Sequence, residues 1–255
     1  MKDLLVRLAA RVQQAVSDYR DDFGERISIG AYGVPTSAID LVAERAALDE
    51  LEKTGERLNV LSEEAGFIDR GGEMTIVLDP VDGTRNAARG FPAYSTSMAI
   101  GRKSMDDTEF GLVRDLVSGR TYFASKGRGA FLDDRRIRIR EFDARDTVFS
   151  IYLGTNANQE SLELARRARR VRNLGAASLD MCLVATGAAD LYYMNSNAKN
   201  AELRVVDIAA SALILREAGG EVVSLDRRRL NMPYDSKTRS NLIAYGDPKA
   251  LELVP

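Results

Sequence analysis

The chain has 255 residues, 45% hydrophobic and 29% charged, enough apolar material for one large core or two compact halves and no compositionally disordered tail. Thirty-six basic against 38 acidic residues leave a formal charge of −2, which excludes a global field for nucleic acid or anionic lipid, so any anion site has to be local. Histidine is absent and cysteine occurs once, at Cys182, which excludes histidine triads, phosphohistidine, histidine zinc sites and an intrachain disulfide. Acid-base chemistry must then fall to carboxylates, Lys, Tyr or water on a metal.

The N-terminal stretch carries apolar residues at 4, 8, 12 and 16, the period of an amphipathic surface helix. It has neither the apolar core of a signal peptide nor the acid-poor character of a transit peptide. No apolar run approaches the roughly 20 residues that span a bilayer, so a cytoplasmic protein is expected. "TSAIDLVAERAALDELEKTG" predicts a second helix closed near Gly55, and "LNVLSEE" and "MTIVLDP" predict strands that each end in acids. From 95 to 140, brief strands alternate with turn clusters, an antiparallel meander. The charged stretch "DDRRIRIREFDARD" marks a boundary near 140, separating an α+β half (1–140) from an α/β half (141–255). In the second half "TVFSIYL" reads as a strand, "QESLELARRARRV" as a helix, and "VVDIAASALILREAGG" as a helix capped by Gly-Gly.

Chemistry concentrates in "VLDPVDGTRN". Pro80 cannot continue a sheet ladder, so Asp79 is delivered at a strand's carboxyl end, and Asp82, Gly83 and Thr84 follow in a tight turn with amides able to face an anion. Two neighbouring carboxylates repel unless a cation lies between them, and without His a hard, oxygen-seeking ion such as Mg²⁺ is the natural one. A plain Asp-Gly turn is the competing reading. Glu63 and Glu64 in "LSEE" converge on the same place if the two strands are neighbours, and otherwise form a solvated acidic turn. Asp207 in "VVDIAAS" reads either as an ordinary helix N-cap or as part of an anion-attracting helix start.

"LSEE", "DPVDGTRN" and "VVDIAAS", in that order, with "GAASLDMCLVATGAADLYY" and "EAGGEVVSLD", resemble the inositol monophosphatase and fructose-1,6-bisphosphatase superfamily from about residue 28 onward. "GVPTSAIDLVAE" and "LRVVDIAAS" are most similar to its archaeal-type branch, whose members often hydrolyse both kinds of ester. The resemblance implies a layered αβαβα fold, two or three Mg²⁺ ions, lithium sensitivity and a homodimer. It makes Glu63, Asp79, Asp82, Asp207 and the Val81 carbonyl the metal ligands, with Glu64 beside them. It also makes Asp40 the partner of Thr84 near the attacking water, and the amides of Gly83 and Thr84 the phosphate cradle.

Gly175 and Ala176 match a loop that touches the sugar or inositol ring. Arg172 and Arg204 are candidate anchors for hydroxyls or a second phosphate, Arg172 also fitting a solvated basic helix face. Tyr32 in "GAYG" replaces an acid associated with a third metal, and Met194 stands where inositol-preferring relatives carry an acid. The expected substrate is a small phosphate ester, inositol-1-phosphate or fructose-1,6-bisphosphate. The alternatives are a 3′-phosphoadenosine nucleotide or NADP, or a regulatory role at RNA polymerase through the arginines at 166 to 172. Membrane and nucleic-acid partners are not expected.

Overall fold

A computed structural model describes residues 1–29, 35–197 and 202–255. The elements run α1 (Lys2–Asp18), a small hairpin β1 (Arg26–Ile29) and β2 (Pro35–Ser37), α2 (Ala38–Thr54), β3 (Leu58–Ser62), β4 (Gly66–Ile68), β5 (Met74–Asp82), α3 (Thr84–Ala88), β6 (Ser95–Gly101), β7 (Phe110–Asp115), β8 (Thr121–Ser125), β9 (Gly129–Leu132) and β10 (Arg135–Ile137). After a strandless stretch come β11 (Val148–Ile151), α4 (Gln159–Arg167), β12 (Arg170–Arg172), α5 (Ala177–Ala185), β13 (Leu191–Met194), β14 (Leu203–Arg204), α6 (Val205–Ala218), β15 (Glu221–Val223), β16 (Arg239–Ser240) and β17 (Leu242–Tyr245).

Strands β3 to β10 form one sheet in the order 10-9-8-7-6-5-3-4, antiparallel except for the parallel β3–β5 pair, and β12-β11-β13-β17-β15 form a second. Alternation along the strands builds the layers, because successive side chains leave opposite faces of a sheet. Val60, Ile76, Met98 and Leu112 pack on α1 and α2, while Leu61, Val77, Ala99 and Val113 pack on α5 and α6. The second sheet repeats the division: Tyr192, Val222 and Ala244 face α5 and α6, and Tyr193, Val223 and Ile243 face Leu164 of α4. The result is the five-layer αβαβα sandwich.

Helix α1 buries Leu4, Leu8, Val12 and Val16 as its period predicts, and α2 ends at Gly55 with φ 70°, a left-handed cap that glycine adopts without a Cβ clash. Two expectations need correction. Strand β5 does not stop at Asp79: Asp79 pairs with Ser97 and Asp82 with Ser95, so Pro80 and Val81 together oppose Thr96 as a bulge, where a proline's missing N–H costs no ladder bond. Helix α4 also ends earlier than its arginines suggest. Ala168 is extended, and the Arg170 N–H donates to the Thr147 carbonyl (3.0 Å), so Arg170–Arg172 becomes an edge strand parallel to β11. Pairing with a neighbouring strand outweighs the helix propensity of arginine there. Among the described residues no helix is long and apolar enough to cross a membrane. Tyr32 lies outside the described residues.

Candidate active site

The parallel pairing of β3 with β5 sets Ser62 opposite Leu78, so both strands deliver their acids at the same sheet end. Helix α6 is buried along nearly its whole length between the sheets and points its first turn at that place. Glu63, Asp79 and Asp207 thereby meet, with one carboxylate oxygen from each lying within 4.8 Å of the others. Asp207 stands at the third position of α6 rather than at its N-cap, and its Oδ2 accepts the Arg204 N–H (2.6 Å). The Arg204 guanidinium pairs with Glu63 and, at 3.2 Å, with Asp207. Burial opposes its charge, but the carboxylates of Asp207 and Glu63 outweigh burial and raise its pKa.

Asp79 is differently placed. It is 2% exposed, and among the described residues its Oδ1 has no hydrogen-bond partner. Burial, then the charges of Glu63, Asp82 and Asp207, push its carboxyl well above the ordinary range. A lone carboxylate oxygen buried among acids is costly unless a cation reaches it, and the ion pairs Arg204 makes among the described residues are with Glu63 and Asp207, not with Asp79. An all-oxygen donor set with one orphaned member fits a hard divalent ion.

Asp82 lies close by but turns to another partner. Its Oδ1 accepts the Ala177 N–H (3.2 Å), and its Oδ2 accepts both the N–H (2.8 Å) and the hydroxyl (2.5 Å) of Ser178. Burial raises its pKa to about 7 against those hydrogen bonds. The Val81 carbonyl, in the bulge, accepts the Thr84 hydroxyl (2.9 Å). That hydroxyl also lies 2.9 Å from Asp40 Oδ1, joining α2 to the turn after β5. Asp40 is pushed up to about 7, chiefly by burial and then by the Glu63 charge. Glu64 accepts from the Thr36 hydroxyl and is also raised to about 7, again chiefly by burial.

A cavity of about 370 Å³ opens beside these groups, lined among others by Asp40, Glu63, Gly83, Thr84, Arg85 and Gly175, while Asp79, Asp82 and Asp207 lie outside its lining. At Gly83 (φ 89°) a Cβ would lie 2.9 Å from the Ala93 carbonyl oxygen and 3.1 Å from Ala176 Cβ, so the turn after β5 and the loop before α5 meet over a residue that has to be glycine. Gly175 and Ala176 are thus brought to the site. Arg172 is not among the residues lining the cavity: it is exposed on the edge strand β12, and its Nη1 donates to its neighbour's carbonyl, that of Val171 (2.8 Å).

Several residues at the site were not singled out in advance. Arg26 and Arg85 line the cavity, Arg85 sitting inside the quoted motif. Asn86 Nδ2 donates to the carbonyls of Ala93 and Leu174 (2.7 Å each), tying α3 to the ring-contacting loop. Asp180 accepts the Ser150 hydroxyl (2.5 Å) and the Leu174 N–H (3.2 Å), and burial raises it to about 6 against those bonds. Of these, Arg85 and Asn86 lay within "DPVDGTRN" and Asp180 within "GAASLDMCLVATGAADLYY", and Arg26 carried no sequence signal.

Comparison with known proteins gives this arrangement its class. The chain is 35% identical to a fructose-1,6-bisphosphatase/inositol-1-monophosphatase of Methanothermobacter thermautotrophicus, covering 96% of this chain and 92% of that one. It is 33% identical to a bifunctional NADP phosphatase/NAD kinase of Methanococcus maripaludis over 100% of this chain and 48% of the relative. The crystal structure of the MJ0109 gene product, an inositol monophosphatase–fructose 1,6-bisphosphatase, superposes with a TM-score of 0.87 at 28% identity, covering 99% of this chain and 97% of that one. Fold and relatives together define a phosphatase. The model of the inositol monophosphatase family matches residues 2–253, and the chain belongs to that family.

Proposed function

We propose that the protein is a Mg²⁺-dependent phosphomonoesterase acting on a cyclitol or sugar phosphate, inositol-1-phosphate, fructose-1,6-bisphosphate or both. The observation that carries the metal requirement is the meeting of Glu63, Asp79 and Asp207, in which Asp79 Oδ1 has no hydrogen-bond partner among the described residues. Glu63, Asp79 and Asp207 would hold the ion, with Asp82 and the Val81 carbonyl completing a set of two or three sites. Asp82 would then divide its oxygens between the ion and the start of α5. Bound there, Mg²⁺ supplies Lewis acidity and charge neutralisation for phosphoryl transfer to water.

The chain's own residues supply the rest. The Thr84 hydroxyl, held between Asp40 and the Val81 carbonyl, orients the nucleophilic water, and Asp40 beside it is an acceptor for the water's proton. Glu63, at the cavity wall, is the other acceptor within the site. Gly83 and Thr84 receive the phosphate and Gly175 and Ala176 the ring, whereas Arg204, expected from the sequence as an anchor for hydroxyls or a second phosphate, pairs with Glu63 and Asp207 and orders those acids. The names of the relatives support this substrate class, and the match to the Methanococcus maripaludis protein favours NADP as the second reading. A cytoplasmic, lithium-sensitive homodimer with the chain divided near residue 140 completes the proposal.

Phosphate release measured with Mg²⁺ from inositol-1-phosphate, fructose-1,6-bisphosphate, 3′-phosphoadenosine 5′-phosphate and NADP tests it. Release from either of the first two is expected. Release from a nucleotide alone overturns the substrate assignment.

A further inference from the structure

Helix α2 buries two acids one turn apart, Asp40 at 6% and Glu44 at 7% exposure. Like charges at i and i+4 weaken a helix, and a helix packed on a sheet ordinarily fills such positions with apolar side chains. Asp40 has a partner in Thr84. Glu44 has no part in the mechanism above, although it ends the "SAIDLVAE" motif.

Its contacts point to the turn between β3 and β4. Ser62 pairs with Gly66 across this hairpin, leaving Glu63, Glu64 and Ala65 as the loop. A single oxygen of Glu44, Oε1, accepts both the Ser62 hydroxyl and, at 3.0 Å, the Ala65 N–H. The two donors flank Glu63 and Glu64, so one carboxylate oxygen grips both sides of the segment that carries them. The Glu63 N–H donates to the Leu78 carbonyl (3.1 Å), which ties the same loop to β5 immediately before Asp79.

We infer that Glu44 is a positioning residue: by clamping Ser62 and Ala65 it sets the Glu63 carboxylate against Asp79 and Asp207 and thereby sets the affinity of this site for a divalent cation. The two acids of α2 then share one task, Asp40 holding the turn after β5 and Glu44 the turn after β3. This inference rests on the metal-site reading above. Outer partners of metal ligands typically hold about 10- to 100-fold of affinity.

Calorimetric titration of the metal-stripped protein with MgCl₂ separates the two. Glu44→Ala should weaken Mg²⁺ binding about 10- to 100-fold. The Mg²⁺ concentration for half-maximal hydrolysis should rise in parallel, and KM for the ester should hold at saturating Mg²⁺. Glu44→Gln keeps an Oε1 acceptor for both donors and should stay within about threefold of the parent affinity. A role in stability alone would lower the melting temperature of Glu44→Ala and leave its Mg²⁺ isotherm unchanged, and that result overturns the inference. Should Glu44→Ala fail to fold, Ser62→Ala, which removes one of the two donors, carries the test: unchanged Mg²⁺ affinity overturns the inference and weaker binding supports it. If the parent protein itself binds no Mg²⁺, the metal-site reading fails first, and the clamp with it.

Discussion

Two groups of acids lie side by side in this molecule, and they differ in how many donors meet them. At the start of α5, Asp82 and Asp180 are met by the molecule's own donors: the N–H groups of Leu174, Ala177 and Ser178 and the hydroxyls of Ser150 and Ser178. At the start of α6, the Arg204 guanidinium pairs with Glu63 and Asp207, and Asp79 Oδ1, like Asp180 Oδ2 in the first group, has no hydrogen-bond partner among the described residues. Burial raises Asp79, Asp82, Asp180 and Asp207 alike, so burial does not distinguish the groups. What differs is the number of donors: backbone amides and hydroxyls meet most oxygens of the first group, and the second, short of donors, is the group proposed to hold a cation.

The largest test of that contrast is Asp79→Asn. Removing one charge from the donor-poor group should cut hydrolysis by more than about 100-fold, beyond the range for losing an outer partner of a metal ligand. The same change should raise the urea midpoint of the metal-free protein at pH 8, because it relieves repulsion. Activity retained at the parental level would dissolve the distinction between the two groups. Next comes Ser178→Ala on the donor-rich side. It strips Asp82 of its closest hydrogen bond and Ser95 of its hydroxyl neighbour (2.8 Å), and should cost about 1–3 kcal/mol in denaturant unfolding.

A smaller, graded effect is expected with pH. Asp40 near 7 and Asp180 near 6 hold protons in the folded chain that the unfolded chain has already released above about pH 4. Folded-state pKa values above the unfolded ones mean that stability is lost as pH rises from about 4 to 7, since the native state binds more protons over that window. Urea unfolding of metal-free protein between pH 5 and 8 should show a falling midpoint, and Mg²⁺ should flatten the fall. A midpoint that climbs with pH would show that these acids ionise freely in the fold. Smallest of all is Arg172→Ala: on an exposed edge strand and absent from the cavity lining, it should leave kcat/KM within about twofold. A larger loss would restore Arg172 as a substrate anchor.

Much of the donor-poor group was legible in the sequence. Acids that end apolar runs announce themselves, and Glu63, Asp79 and Asp207 each interrupt or terminate one. The convergence of β3 with β5 was legible only on the condition that the two strands are neighbours, which their parallel pairing supplies, and the αβαβα layering came from the resemblance. The donor-rich group was not legible in the same way. Backbone N–H groups leave no trace in composition, so nothing in "NLGAASLD" says that Asp180 turns back on Leu174 or that Ser178 serves Asp82. The end of α4 was misread for a related reason: a run of arginines carries helix period and propensity, whereas the bond from Arg170 to the Thr147 carbonyl belongs to a partner 23 residues away. Pro80 did signal an irregularity, but whether a proline ends a strand or sits in a bulge depends on the neighbour, here Ser95 to Ser97.

The central claim is that Glu63, Asp79 and Asp207 together hold a divalent cation. Crystals soaked in MnCl₂ and measured at the manganese edge test it most directly. An anomalous peak is expected with oxygens of all three side chains at roughly 2.0–2.3 Å. A fully soaked crystal with no peak among these three carboxylates, or with manganese only elsewhere, would contradict it.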